Sequence, residues 1–523
     1  MTAPHRPDAA AELLSRYAED CAAVIGGLLG GVDPGPVTAL RPGLGDPHRG
    51  GRTVTLVEFA DGRRVVYKPR AVDGEVLAGE AVRWLGRRLS APRLHAAAVV
   101  ARPGHGWMAY VDTRPVDDAE QGGEFYRRAG ALLALCHALH ATDLHLENVV
   151  AHGAYPVLVD AETLLHPALP AAYGGSTDPA AAALEKSVRR TGLLPLTTMT
   201  AAGPRDRSGL GGDGGNRPRL HGTPLEPAAH REEILDGFTR GYDTIRAGRD
   251  DFAGLLRRHA GATVRVVARQ SAGYAQLRAA GDFTALEQAS RGHPLWQRLV
   301  PYEIADLRAG DIPVFTARAG STDARSSGGD PLPGLVERSG LDGALATVAA
   351  LDEVDRAAQE WMIAASLATR PGAAAVHAEP ADAASAVAAE PARLLAAACG
   401  IADRIVATAA ADGSGRLNWL GLQLVEERAW MVLPMGAGLG DGYTGVALFL
   451  AELAALTGLG RYADAARQAL VPLPELLAVL RQRPDLLAAV GAGMADGLGG
   501  IAYAAGRIAE LLDDPALAAT ARE

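Results

Sequence analysis

Lysine is nearly missing from this 523-residue chain: of 51 basic residues only Lys68 and Lys186 are lysine, and the rest are arginine. A lysine kept inside an apolar strand is therefore informative, because arginine does not replace a compact point charge. Cysteine is equally scarce. Cys21, Cys136 and Cys399 lie far apart with no CxxC pair, which excludes a disulfide framework and a local zinc knuckle and fits a reducing compartment. No apolar run approaches the roughly 20 residues needed to cross a bilayer, and the first residues lack a signal-peptide core. A soluble, cytoplasmic protein is expected. The net charge of -10 argues against a nucleic-acid binder that works by neutralising phosphates.

What is present is enough hydrophobic sequence, 48%, for two or three cores. Residues 8–29 have the spacing of an amphipathic helix. TVTLVEF and RRVVYK flank Ala60-Asp61-Gly62 and predict a β-hairpin over 53–68. A helix over 75–89, strands near 97–101 and 107–111, a helix over 124–140, a polar loop at 141–148 and a strand at 156–159 follow. Residues 203–224, rich in Gly, Pro and Arg, predict a mobile loop. Residues 232–258 and 341–369 read as helices. Residues 371–392, Ala/Pro-rich and polar, read as a linker. Beyond it, LGDGYTGVALFL and MADGLGGIAYAA repeat DG-x-x-G-[VI]-A before an apolar helix, which predicts a helical repeat.

The strongest chemical signal is ATDLHLENVVAHGAYPVLVDAETLL. It places Asp143, His145 and Asn148 on one loop and Asp160 and Glu162 just past a strand. Phosphoryl transfer needs a carboxylate to orient the attacking hydroxyl, oxygen ligands for Mg²⁺, and a cation on the phosphates. In that order these would be Asp143, then Asn148 and Asp160, then Lys68 at the end of the hairpin, where kinases keep their ATP-contacting lysine. Glu75, or failing that Glu80, could pair with Lys68. A second group lies outside this set. GLGDPHRGGR puts Asp46 and His48 where a kinase carries a glycine-rich loop. VRVVARQSAGY puts Arg265, Arg269 and Ser271 on a strand-to-helix transition.

Taken together, GDPHRGGR, VVYKPR, TDLHLENVVAHGAYPVLVDAETL, VRVVARQSAGY and YEIADLRAGDIPVF resemble, in order, the dehydratase domain of class II (LanM-type) lanthipeptide synthetases. The resemblance covers roughly residues 10–320. It implies an α+β fold with a lipid-kinase-like domain. That domain phosphorylates Ser and Thr of a ribosomal, leader-bearing precursor peptide with ATP and Mg²⁺, then eliminates the phosphate. Carried over residue by residue, Lys68, Asp143, His145, Asn148, Asp160 and Glu162 fall on phosphorylation and metal positions. Asp46, His48, Arg265 and Ser271 fall on elimination positions, Ser271 standing where the family usually has threonine. Elimination needs a base for the α-proton and a cation on the departing phosphate; His48 or Lys68 could be the base, and Arg265 would hold the phosphate.

The domains implied are 1–370 (dehydratase), 371–392 (linker) and 393–523, which resembles the start of the family's LanC-like cyclase, an α/α toroid built around zinc. That last segment holds one cysteine, Cys399, and no histidine, so no zinc site is expected in it. A separate polypeptide could complete the cyclase. Two other readings fit the kinase-like residues alone: a kinase of a small hydroxylated molecule, and a non-catalytic peptide-binding scaffold.

Overall fold

Asp-Gly at the tip and alternating apolar residues on both sides make 53–68 a hairpin, and the rest of the first sheet grows from it. A computed structural model describes residues 9–170, 178–200, 203–212, 214–370, 390–425 and 428–522. The hairpin is β2 (Thr55–Phe59) and β3 (Arg64–Lys68), with Gly62 at φ +84° in the turn. It sits in an antiparallel five-stranded sheet, order β1-β2-β3-β5-β4, with β1 at Val37–Pro42, β4 at Val99–Arg102 and β5 at His105–Ala109. One face packs on α1 (Ala9–Leu28) through Leu13, Val24, Val57, Val65, Tyr67 and Trp107. The other face carries a smaller apolar stripe, Leu56, Val66 and Met108, which are neighbours in register across β2, β3 and β5. Lys68 stands two residues beyond Val66, so the pleat puts it on that second face.

After the hairpin, α2 (Asp73–Gly86) packs against the turn that follows β7. A Cβ on Gly74 would lie 2.1 Å from the Ala161 carbonyl oxygen; only glycine lets the helix come this close. Helix α3 (Ala119–Ala138) is followed by the 139–148 loop and by a tight hairpin, β6 (Val149–His152) and β7 (Tyr155–Leu158). The chain then contributes α4 (Pro179–Lys186) to a second compact unit before returning. The stretch 1–370, expected to run as one domain, is therefore interrupted: residues 178–187 group with 390–522. Asp178 caps α4 by accepting from Ala180 N–H at 2.8 Å and also accepts from Asn418 Nδ2 at 2.8 Å. That tie crosses 240 residues of sequence, and no local pattern announces it.

In its described residues, the segment 203–224, expected to be a mobile loop, is instead built into the fold. It contains β9 (Gly203–Asp206), which pairs with β8 (Thr197–Thr200), and a short ladder of β10 (Arg219–Leu220) with β11 (Thr223–Pro224). Asn216 is fully buried and donates to the Gly209 and Gly211 carbonyls. Leu146 N–H donates to the Arg207 carbonyl at 2.9 Å and Ala151 N–H to the Gly215 carbonyl at 2.8 Å. Several of its glycines serve close approach: a Cβ on Gly209 would sit 2.7 Å from the Leu144 carbonyl oxygen.

The helix expected over 232–258 is two, α5 (Arg231–Ala247) and α6 (Arg249–Arg258), broken at Gly248 against Trp84. Next come β12 (Thr263–Val266), α7 (Ser271–Ala280), α8 (Thr284–Ser290) and α9 (Pro294–Ala309). β12 forms a second antiparallel sheet with β13 (Phe315–Arg318), β14 (Ala324–Arg325) and β15 (Pro331–Leu332). The helix expected over 341–369 is also two, α10 (Gly340–Ala350) and α11 (Glu353–Ala368). The break is where Asp352 turns outward to cap α11. Helices and small sheets together make an α+β chain.

The second unit holds α12 (Pro391–Ala407), β16 (Ala410–Ala411), β17 (Leu417–Asn418) and a hairpin of β18 (Leu420–Val425) with β19 (Ala429–Pro434). The helices α13 (Tyr443–Thr457), α14 (Gly460–Leu470), α15 (Leu473–Gln482), α16 (Pro484–Val490), α17 (Leu498–Leu512) and α18 (Pro515–Arg522) follow. The repeated DG motifs lead into α13 and α17, and their turns meet, with Leu439 and Gly440 N–H both donating to the Ala495 carbonyl at 2.8 Å. Cys399 lies on α12 against the helical core. Most of the expected linker, residues 371–389, lies outside the described residues.

Because Gly74 has no room for a side chain, Gly74→Ala should destabilise the protein by about 1–3 kcal/mol through overpacking. Gly26→Ala, on α1 with nothing within 4 Å of the added carbon, should stabilise by about 0.5–1 kcal/mol. Urea unfolding of the two variants measures both.

Candidate active site

Lys68 ends β3 with only 2% of its side chain exposed, and a buried ammonium must be paired. Its Nζ donates to Glu75 Oε1 at 2.7 Å and to the Val159 carbonyl at 2.6 Å, and lies 3.7 Å from Asp160 Oδ2. Glu75 is the partner supplied by α2. Glu80 instead meets His259 Nε2 at 3.2 Å. Two residues on, Arg70 gathers three carboxylates: Glu75 Oε1 at 2.9 Å, Asp160 Oδ1 at 2.7 Å and Glu162 Oε2 at 2.9 Å. Burial alone would push the Asp160 and Glu75 carboxyls up. The Arg70 and Lys68 charges reverse this and hold Asp160 well below the ordinary carboxylate range, with Glu75 lowered as well.

Glu162 shares its carboxylate with a second arginine. Arg265 NH1 donates to Glu162 Oε1 at 2.7 Å, and Arg265 NH2 donates to Ser271 Oγ at 3.0 Å. The Arg265 backbone N–H also donates to the Glu162 carbonyl at 2.8 Å, which ties β12 to the 160–162 turn. Ser271 opens α7, whose N-terminus has no side-chain cap. Arg269 points elsewhere: its Nε donates to Glu303 Oε1 at 3.1 Å and its guanidinium stacks 3.7 Å over the Trp296 ring.

The 143–148 loop faces the same charges. Asp143 has φ +58°, a left-handed conformation rarely adopted outside glycine. It is held by two donors to its own carbonyl, His145 N–H at 3.0 Å and Asn148 Nδ2 at 3.0 Å. Burial raises the Asp143 carboxyl above its ordinary value; His145 and Arg265 offset this only in part, and Glu162 and Asp160 add to it. A carboxylate so raised is a stronger base. The His145 ring folds back on its own loop, its Nδ1 accepting from Glu147 N–H at 3.3 Å. Asn148 sits beside the 159–160 turn, its carbonyl accepting from Val159 N–H at 2.9 Å.

His48 closes the group. Its Nδ1 donates to the Ile312 carbonyl at 2.6 Å, which leaves Nε2 with the lone pair. Burial and then the Arg265 charge lower its pKa, against smaller opposing effects of the hydrogen bond to Ile312 and of Glu162 and Asp46. Asp46 is half-buried within electrostatic reach of it. Asp46, His48, Lys68, Glu75, Asp143, His145, Asn148, Asp160, Glu162, Arg265 and Ser271 all lie in the first unit. Lys68, Glu75, Asp160, Glu162, Arg265 and Ser271 form one chain of contacts, and Asp143 and His48 lie within reach of its charges.

Three residues outside that set shape the site. Arg70 lies in the KPR stretch, but one more arginine carries little signal in an arginine-rich chain. Asp311 lies in the GDIP stretch and takes hydrogen bonds from Gly50 and Gly51. His166, behind β12, accepts from Val267 N–H through Nε2 at 2.9 Å; nothing local marks it.

Among the described residues no three or more His, Cys, Asp or Glu side chains gather as a metal cluster. The donors that would face a nucleotide are oxygens, Asp160 and the Asn148 carboxamide. An ionised carboxylate beside a neutral amide suits a hard ion such as Mg²⁺, which usually takes only one or two protein carboxylates and fills the rest of its shell with phosphate and water.

Among known proteins, the family described as "Domain of unknown function (DUF4135)" matches residues 2–217 and 213–318. The chain is 22% identical over 342 residues to the Lacticin 481/lactococcin biosynthesis protein LcnDR2 of Lactococcus lactis subsp. lactis. The match covers 55% of this chain and 37% of that protein, so the chain spans little more than a third of its relative. No described helix is long and apolar enough to cross a membrane.

Burial, then the Arg190 charge, drives the pKa of His166 and of neighbouring His140 down to about 3, and burial drives that of His137 to about 4. Unfolded, each titrates near 6.5, so below that pH the unfolded chain binds more protons. Stability should be full above about pH 6.5 and fall steadily as the pH drops toward 4. Urea unfolding between pH 7.5 and 4.5 checks this, and His166→Asn should flatten part of the slope.

Proposed function

The chain belongs to the DUF4135 family, and from that premise, together with its likeness to a lantibiotic biosynthesis protein, we propose that it is a class II lanthipeptide synthetase-like enzyme that dehydrates Ser and Thr of a ribosomal precursor peptide. The observation that carries this is the shared carboxylate of Glu162, bonded on one oxygen to Arg70 and on the other to Arg265. It joins the residues suited to phosphorylation to those suited to elimination. A kinase of a small molecule would have no use for the second set.

In the first half-reaction a substrate Ser or Thr hydroxyl gives its proton to Asp143 as its oxygen bonds to the γ-phosphorus of ATP. The bond from that phosphorus to the bridging oxygen breaks, and ADP leaves with the electron pair. The purine would lie on the apolar stripe of Leu56, Val66 and Met108, bordered by Val99, Tyr110 and Val159. Lys68, held by Glu75, would meet the phosphates. Asn148 and Asp160 would hold Mg²⁺, which shields phosphate charge when bound.

In the second half-reaction Nε2 of His48 takes the α-proton. The C–H electrons form the Cα=Cβ double bond, the Cβ–O bond breaks, and phosphate leaves with that electron pair. Arg265 and the Ser271 hydroxyl would stabilise the charge on the leaving phosphate. Lys68 is a poor candidate for this base, since it stands between two carboxylates and the Val159 carbonyl. The fold of the first unit would then be lipid-kinase-like, and the helices of the second unit part of a LanC-like toroid.

Asp143→Asn should cut ATP consumption with the precursor by at least about a hundredfold, the usual scale for a catalytic acid or base, and Asp160→Asn should cut it strongly too, through loss of a metal ligand. His48→Ala and Arg265→Ala should instead accumulate peptide heavier by one phosphate. Mass spectrometry of the peptide separates the outcomes. Dehydration without ATP would contradict the reading.

A further inference from the structure

The loop between β1 and β2 lies where a nucleotide-binding hairpin would offer its amides to phosphate, yet those amides are already taken. Arg49, Gly50 and Gly51 have φ +48°, +91° and +81°, three left-handed residues in succession. The turn they form gathers adjacent backbone N–H groups into a concave anion nest. The anion in it belongs to the chain itself: Asp311 Oδ2 accepts from Gly50 N–H at 2.7 Å and Oδ1 from Gly51 N–H at 2.8 Å. Asp311 is 4% exposed and is fixed just past α9, its own N–H donating to the Asp306 carbonyl at 3.0 Å.

The next residue completes the latch. Ile312 N–H donates to the Pro47 carbonyl at 2.8 Å, and the Ile312 carbonyl accepts from His48 Nδ1 at 2.6 Å. On its other side the loop is tied to α1, with Arg52 Nε donating to Glu12 Oε2 at 2.8 Å. His48 is thus held between two anchors, facing Arg265 from β12, Glu162 from the turn after β7, and Asp46 on its own loop.

We propose that Asp311 is a positioning residue for phosphate elimination: by filling the Gly50–Gly51 nest it withdraws this loop from nucleotide binding and fixes the His48 ring beside Arg265. The proposal rests on the two-step reading above, and it divides labour within the site. Phosphates are met by side chains, Lys68 and Arg265, while the glycine loop carries the base. Asp311 touches neither substrate nor nucleotide and acts only through the loop.

The test uses Asp311→Asn, which keeps the shape but loses the charge and one acceptor, and Asp311→Glu, which keeps the carboxylate. Hydrogen exchange followed by mass spectrometry reads the latch in the resting chain. Amides in 44–53 should exchange roughly tenfold faster in Asp311→Asn, with 55–68 unchanged, and Asp311→Glu should recover part of the protection. Loss of phosphate from a synthetic phosphoserine peptide, measured with ADP and Mg²⁺ present, should slow by at least about tenfold in Asp311→Asn, the size of a misplaced general base. Phosphorylation should stay within about twofold on the same scale. The acid limb of the elimination rate should also move to higher pH, because a released His48 loses the burial and the Arg265 charge, which lower its pKa by more than the Ile312 hydrogen bond raises it. Unchanged exchange in 44–53, or equal slowing of both half-reactions, overturns the proposal. Wild-type chain that releases no phosphate contradicts the two-step reading instead, and the exchange result still judges the latch.

Discussion

The Arg70 guanidinium is the tie on which the site depends. It joins Glu75 from α2 to Asp160 and Glu162 from the turn after β7, and so fixes the first sheet and its helix against the 160–162 turn. With Lys68 and Arg265 it makes three cations against three carboxylates, so the buried charges balance. Balance is required here: an unpaired partner of a buried ion pair costs about 3–5 kcal/mol. The same balance sets the chemistry, holding Asp160 and Glu75 ionised. At Asp143 burial, with the Glu162 and Asp160 charges, outweighs His145 and Arg265, and its carboxyl is raised.

Glu162 extends the tie to the second sheet. Because its other oxygen and its backbone carbonyl both hold Arg265, β12 and the start of α7 keep their place relative to the Asp160 turn. Two steps that need opposite treatment of phosphate, delivery and then expulsion, would thus share one set of fixed cations. Gly74 makes the arrangement possible by letting α2 sit directly on the Ala161 carbonyl.

Much of this was legible in sequence where the signal is local. The Asp-Gly turn, the apolar alternation around it and a lone lysine at the strand end located β2, β3 and Lys68. The spacing of Asp143, Asn148, Asp160 and Glu162 around a short strand pointed to one site. Less was legible where the cause is long-range. Arg70 was lost in an arginine-rich background, and Asp311 acts on a loop 260 residues away. Composition misled at 203–224, since glycine serves close packing as well as freedom. Helical periodicity ran across Gly248 and Asp352, where Trp84 and a capping carboxylate break the helices.

One Arg70-centred charge network would then support both half-reactions. Its most direct measurement is a mass-spectrometric time course of precursor, phosphopeptide and dehydrated peptide with Arg70→Lys. Lysine keeps the charge but cannot present a planar fork to three carboxylates. Phosphorylation and elimination should both slow, by similar factors. A variant in which one rate falls and the other keeps its wild-type value would contradict this.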